Sequence, residues 1–215
     1  FFQIIIVGAL SSAFIPVFSR YLGDKKESNL IASSMINVVM AIMILLSIGI
    51  FIFALPLSRL IAGGFGEEQI QLMANLTRIM AAAQIFFGFS SFLTGVIQSH
   101  KRFLVPALSP VLYNLGIIIG ILVFGKSLGI YGAAIGVVIG ALLHLLAQLP
   151  LAYKLGFRYS LSWDSKHGAV KEMSKLMLPR VLTLSLVQIE TTAIITFSSW
   201  LSVGTVTIIS IAQQL

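Results

Sequence analysis

The chain is 215 residues long, 58% hydrophobic and only 10% charged, with a mean hydropathy of +1.02. A soluble domain carries about 25% charged residues, so the composition excludes a water-soluble fold and describes an integral membrane protein. Cysteine is absent, which excludes disulfides, Cys-ligated zinc and iron–sulfur clusters, and the net charge of +7 fits basic cytoplasmic loops better than nucleic-acid binding.

Seven apolar segments follow one another. The first, Phe1–Phe18, contains "GALSSAFIPVFSRY", in which Ser11, Ser12 and Pro16 interrupt an otherwise apolar run. The second is Ile31–Leu55, the third Ile79–Gln98, the fourth Leu104–Phe124, the fifth Ile130–Tyr153 and the sixth Leu176–Trp200; the seventh begins at Val203. The complete runs are about twenty residues or longer, as helices need, whereas barrel strands would be about ten and alternating. Pro56, "AGGFG" at 62–66, Gly125, Gly129, Ser202 and Gly204 mark joints. The chain begins at Phe1 and starts and stops within apolar runs, so it reads as a fragment; nothing resembles a cleavable signal.

Lys and Arg alternate between the connections. The odd ones hold Arg20, Lys25 and Lys26, then Lys101 and Arg102, then Lys154, Arg158, Lys166, Lys171 and Lys175. The even ones hold Arg59 and Lys126. The positive-inside rule therefore places the odd loops in the cytoplasm.

The fifth loop is the longest. "GFRYSLSW" alternates and predicts a short extended piece. Asp164 or Ser165 is the predicted cap of a helix whose Val170, Met173 and Leu176/Met177 face away from Lys171, Glu172 and Lys175, an amphipathic stretch suited to the inner leaflet. Gly116 and Gly120 in the fourth span, and Gly132, Gly136 and Gly140 in the fifth, recur every fourth residue and predict close helix packing.

No metal, phosphate-loop or nucleophile constellation is present, so no cofactor, no metal and no enzymatic activity are expected. His144, inside the fifth span, is expected to hydrogen-bond a neighbouring helix. Arg78 opens the third span and is expected to snorkel to the headgroups. Arg180 follows Pro179 near the cytoplasmic start of the sixth span, where it suits an anionic headgroup or an anchor. Glu190 lies about mid-span, some 15 Å along the helix from Arg180, and needs a partner elsewhere, a bound cation or a proton. Ser185, Gln188, Thr192, Thr196 and Ser199 form a polar stripe nearly opposite Glu190, so this helix has two polar faces.

The opening stretch resembles the second transmembrane helix of the MurJ/MviN family, the lipid II flippases of the multidrug/oligosaccharidyl-lipid/polysaccharide exporter superfamily. "AGGFG" resembles that family's outer turn after its third helix. "SHKRFLVPALSPVLYN", 99–114, resembles the start of its fifth; "AQLPLAYKLG" and "MLPR" resemble the end of its sixth and the start of its seventh; "SIAQQL" resembles the start of its eighth. The resemblance implies an all-α polytopic transmembrane bundle, the first lobe of a two-lobe transporter. On it, 1–153 are first-lobe helices, 154–175 a cytoplasmic loop with an amphipathic stretch, and 176–215 the start of the second lobe. It implies a multi-pass protein of the bacterial inner membrane that moves lipid II, a lipid-linked peptidoglycan precursor, from inner to outer leaflet by alternating access. Lipid II or a related undecaprenyl-pyrophosphate-linked substrate, membrane lipids and a coupling cation are the implied partners.

Gln3, Ser11, Ser12, Arg180, Gln188 and Gln214 are the candidate substrate contacts, and Glu190 the candidate for ion coupling. The family often has an arginine pair where this chain has Phe2 and Gln3, and an arginine where it has Gln214. Either Arg180 and other cations take over the pyrophosphate, or the substrate is a different lipid-linked saccharide. A polysaccharide-repeat or drug exporter of the same superfamily, and a non-transporting scaffold for cell-wall synthesis, are the alternatives.

Overall fold

The structure is a computed structural model in which residues 13–201 and 205–212 are described. The described residues form eight α-helices: α1 (Ile15–Phe18, continued by a 3-10 turn, Ser19–Tyr21), α2 (Lys25–Ile52), α3 (Ala54–Ile61), α4 (Glu67–Ser99), α5 (Leu104–Leu128), α6 (Ile130–Lys154), α7 (Gly168–Ser199) and α8 (Thr205–Ala212). Five of them, α2, α4, α5, α6 and α7, are long and apolar enough to cross a membrane.

Local chemistry sets the boundaries. Asp24 caps α2: its carboxylate accepts hydrogen bonds from the backbone N–H of Lys26 at 2.8 Å and of Glu27 at 3.1 Å. These bonds, that to Glu27 first, hold the Asp24 carboxyl below the usual range. α2 stops at Ile52 because Pro56 follows four residues later; its ring has no N–H and would meet the Ile52 carbonyl. The backbone kinks at Phe53 and resumes as α3.

α4 starts at Glu67, twelve residues before the apolar run at Ile79. Its polar first turns are anchored within the protein. Asn75 Nδ2 donates to the Tyr131 hydroxyl at 3.4 Å, and Arg78 donates to Asn75 Oδ1 at 2.9 Å and to the Phe51 carbonyl at 3.3 Å. Arg78 thereby braces the last turn of α2.

α5 and α6 are antiparallel across a turn reduced to Gly129, whose φ of +57° suits glycine. Their glycines interleave as their spacing predicts. A Cβ on Gly120 would stand 2.2 Å from the Gly136 Cα, so the backbones meet directly. The other side of α6 packs on α4, and α4 packs on α2. At the basic end, Phe14, Phe18, Ile31, Met35, Phe92 and Ile97 form a buried core among α1, α2 and α4. Phe14 stacks on Phe18 at 4.8 Å and meets the edge of Phe92 at 5.7 Å.

The connection between α6 and α7 runs along α2 instead of hanging in solvent. Asn29 donates to the Gly156 carbonyl at 3.2 Å and accepts from the Arg158 N–H at 2.9 Å. Ser33 Oγ accepts from the Ser160 N–H, and Ser34 Oγ from the Asp164 N–H, each at 3.1 Å. Asn37 donates to the Ser160 and Ser162 carbonyls at 3.1 and 2.8 Å and accepts from the Tyr159 hydroxyl at 2.6 Å. Residues three and four apart on one helix thus satisfy much of this irregular backbone.

α7 then begins at Gly168, capped by His167, whose Nδ1 accepts from the Ala169 N–H at 3.2 Å. Asp164, an expected cap, instead braces the preceding turn by accepting from Lys166 and His167. The apolar face of the amphipathic stretch does not rest on lipid. Val170, Met173 and Met177 are buried in the core with Ile31 and Phe92, because the stretch is simply the first turns of α7 and docks on α1 and α2.

Candidate functional site

α7 carries the candidate residues that the structure describes. Gln3, Ser11, Ser12 and Gln214 lie outside the described residues, as does Phe2. The remaining three, Arg180, Gln188 and Glu190, share α7 as one continuous helix through Pro179.

Two ends hold α7 and its centre stands clear. At the basic end Val170, Met173 and Met177 are buried, and Glu172 pairs with Arg20 at 2.5 Å. At the other end Ser198 and Ser199 are buried against the turn at Gly64. Between Leu178 and Phe197 no described residue of α7 is buried.

The polar stripe is turned toward the rest of the chain. Ser185, Gln188, Thr192 and Thr196 are half-buried, whereas Leu186, Val187, Ile189 and Glu190 are exposed. The stripe is less hungry for partners than its composition suggests. Ser185 donates to the Val181 carbonyl at 2.7 Å, Thr192 to Gln188 at 2.7 Å and Thr196 to Thr192 at 2.9 Å. Hydroxyls that bond back one turn can also bend a helix. Gln188 is the stripe residue whose amide makes no such bond among the described residues.

Glu190 points the other way and has no ion-pair or hydrogen-bond partner among the described residues. Arg180 is likewise exposed, just beyond the buried base of α7. They stand on one helix without meeting, as their spacing requires. A cleft of about 650 Å³ lies at the basic end beside α2, but there Lys26 and Arg158 are balanced by Asp24 and Glu27, a poor setting for a pyrophosphate.

A second polar group lies between α4 and α6. His144 Nδ1 lies 2.6 Å from Ser90 Oγ, Gln148 Nε2 donates to Ser90 Oγ at 2.8 Å, and Thr94 donates to Gln148 Oε1 at 2.7 Å. His144 bonds a neighbouring helix as expected. Gln148, fully buried, is the member whose importance the sequence hid. It sits one turn from His144, a spacing that marks a shared face without naming the partner helix.

The three odd connections gather at one end of the bundle. Leu22, Lys25, His100, Leu155 and Gly156 surround one small cavity there, and Gly64, Ser199 and the Asn75–Tyr131 bond lie at the other. That separation matches the charge alternation.

The profile of the family described as lipid II flippase MurJ matches residues 1–215. The probable lipid II flippase MurJ of Buchnera aphidicola subsp. Acyrthosiphon pisum is 33% identical over 97% of this chain and 42% of its own length. That of Thermotoga maritima is 30% identical over 97% of this chain and 41% of its own. A solved structure, lipid II flippase MurJ in an inward closed conformation, superposes with a TM-score of 0.78 at 25% identity, covering 96% of this chain and 43% of that one. The chain thus spans about two fifths of the length of these relatives. Its helices are those of a multi-pass protein of the bacterial inner membrane. A helix bundle of this order, with a small-residue contact between α5 and α6 and a two-faced α7, matched from its first residue to its last, belongs to the lipid II flippase MurJ family.

Proposed function

We propose that this chain comprises first-lobe helices and the start of the second lobe of a flippase that moves lipid II from the inner to the outer leaflet by alternating access. The carrying observation is that the family match runs through all 215 residues, including α7. In this reading residues 1–153 belong to the first lobe, 154–175 link the lobes, and 176–215 open the second. The basic end faces the cytoplasm.

Gln3, Ser11, Ser12, Gln188 and Gln214 offer neutral hydrogen-bonding groups to the saccharide and pyrophosphate. Arg180, exposed near the basic end, supplies positive charge that Phe2 and Gln3 cannot. Glu190 binds the coupling cation, in concert with parts of the protein outside this chain. The half-buried stripe of α7 supports a hydrated path on one side, and exposed Glu190 supports an ion site on the other.

Expression of the full-length protein in cells depleted of their own lipid II flippase tests this. Sustained growth, with lipid II appearing in the outer leaflet, is the expected result. Lysis despite normal amounts in the membrane would discard it.

A further inference from the structure

Four charged side chains share a cleft at the basic end without pairing across it. The cleft, about 650 Å³, is lined by Asp24, Lys26 and Glu27 around the start of α2 and by Arg158 of the connection after α6. The ion pairs among the described residues are Arg20–Glu172, Arg59–Glu67 and His167–Glu27, so neither Lys26 nor Arg158 meets a carboxylate. Other bonds hold these groups in place. Asp24 Oδ1 receives the backbone N–H of Lys26 and of Glu27, and Glu27 Oε1 stands 3.3 Å from His167 Nε2. Arg158 Nη1 donates to the Tyr153 and Phe157 carbonyls at 2.8 and 2.9 Å, and its guanidinium lies 4.4 Å above the Tyr153 ring. Asp24 Oδ2, Glu27 Oε2, Arg158 Nη2 and Lys26 Nζ make no bond among the described residues. Fixed donors and fixed acceptors therefore serve one space.

The place of the cleft along α2 narrows what can fill it. The uncharged run begins at Ser28, directly after Glu27, so the cleft sits where α2 passes from the headgroups into hydrocarbon. Leu30, already within that run, also lines it. On the connection beyond Arg158, Leu161 is 87% and Trp163 61% exposed, apolar surface at the level where acyl chains begin. A pyrophosphate or a phosphatidylglycerol headgroup brings negative charge alone and would face Asp24 and Glu27. A choline headgroup brings a cation with no N–H to donate. A phosphodiester carrying a primary ammonium two carbons away satisfies both signs at once.

We propose that this cleft binds the headgroup of a phosphatidylethanolamine molecule from the cytoplasmic leaflet. The leaflet rests on the orientation that places the basic end in the cytoplasm; the site itself is independent of what the protein transports. The phosphate accepts from Arg158 and Lys26, and the ammonium donates to Asp24 and Glu27. The bound lipid bridges α2 and residues 158–160, and so fastens the connection to α2 beside the bonds made by Asn29.

The test uses the purified full-length protein in detergent. It is titrated with phosphatidylethanolamine, phosphatidylcholine and phosphatidylglycerol of identical acyl chains, and bound lipid is counted by native mass spectrometry. The first phosphatidylethanolamine is expected to bind about fivefold or more tightly than either of the others, as charge-assisted hydrogen bonds would make it. Lys26→Gln and Glu27→Gln are each expected to reduce it to the level of phosphatidylcholine. Lys171→Gln, at the same end but outside the cleft, is expected to leave it unchanged. Equal binding of phosphatidylethanolamine and phosphatidylcholine, or a preference for phosphatidylglycerol, overturns the site. So does an unchanged preference in folded Lys26→Gln or Glu27→Gln protein. A second readout locates the lipid: phosphatidylethanolamine is expected to slow tryptic cleavage after Arg158 several-fold relative to phosphatidylcholine. Equal cleavage rates in the two lipids overturn the site as well. Should Glu27→Gln fail to fold, Lys26→Gln and the cleavage rates decide, since the Lys26 side chain is exposed and unbonded among the described residues.

Discussion

Ser90 Oγ and His144 Nδ1 meet at 2.6 Å between α4 and α6, and Gln148 donates to the same oxygen at 2.8 Å. With Thr94 on Gln148 Oε1 at 2.7 Å, the group is closed upon itself. Such a group pairs two helices within lipid, where hydrophobic attraction between them is absent. Ser90→Ala is expected to lower stability by about 0.6–2 kcal/mol, the range of interhelical hydrogen bonds in membranes. Thermal unfolding in detergent would show it, with transport retained. Transport lost at unchanged stability would instead make His144 part of a proton path.

The α5–α6 contact predicts a steeper cost. A Cβ on Gly116 would stand 2.3 Å from the Gly140 Cα, and backbone atoms cannot yield as a side-chain tip can. Gly116→Leu is expected to push the helices apart and to destabilise by about 1–3 kcal/mol or more. Gly49→Leu is the control, since a Cβ there meets nothing within 4 Å. Equal melting temperatures for the two variants would contradict the packing.

Asn37 holds the α6–α7 connection by three bonds, to the Ser160 and Ser162 carbonyls and from the Tyr159 hydroxyl. Asn37→Leu leaves those groups without partners, at about 1–3 kcal/mol for each buried one. The segment 157–166 is then expected to leave α2, and trypsin should cut after Arg158 or Lys166 faster than in the unaltered protein. An unchanged cleavage rate would show that Asn29, Ser33 and Ser34 suffice.

Much of this architecture is legible in the residues. Apolar runs mark the long helices, Pro56 marks the kink at Phe53, and glycines every fourth residue mark the α5–α6 contact. The first twelve residues of α4 escape such a reading, because Glu67, Glu68 and Gln71 precede the apolar run yet already belong to the helix. The start of α7 looks like a surface helix, since amphipathicity is the same whether lipid or α2 covers Val170 and Met173. The binding of 156–164 to α2 is the least legible part. Its acceptors and donors on Asn29 and Asn37 stand more than 120 residues away, and no local pattern announces them. In α7 the period of the polar stripe is readable, but its hydroxyls' return to their own helix is not.

Topology follows from the basic residues. Single cysteines at Lys101 or Lys166 of the full-length protein are expected to resist an impermeant thiol reagent in intact cells. A cysteine at Lys126, on the opposite end, is expected to react. The converse pattern would invert the orientation, and equal reaction at both ends would refute the span assignment.

Glu190 is the sharpest test of function. It is exposed on α7, opposite the half-buried stripe, and no described residue neutralises it. A charged carboxylate at mid-bilayer costs about 2.5–3.5 kcal/mol on insertion scales, so a helix that only packed would do better with Leu or Ser there. The charge is tolerable if a cation, a proton or a cationic group from outside this chain meets it. Glu190→Gln keeps the shape and removes the charge. If Glu190 couples transport to an ion, this variant reaches the membrane in normal amount, with the unaltered melting temperature, and loses lipid II transport or its ion dependence. If Glu190 only pairs with an arginine or lysine, the variant leaves that partner unsatisfied and melts lower, and neutralising the partner as well restores stability and transport together. Full activity with unchanged ion dependence and unchanged stability would remove Glu190 from the mechanism.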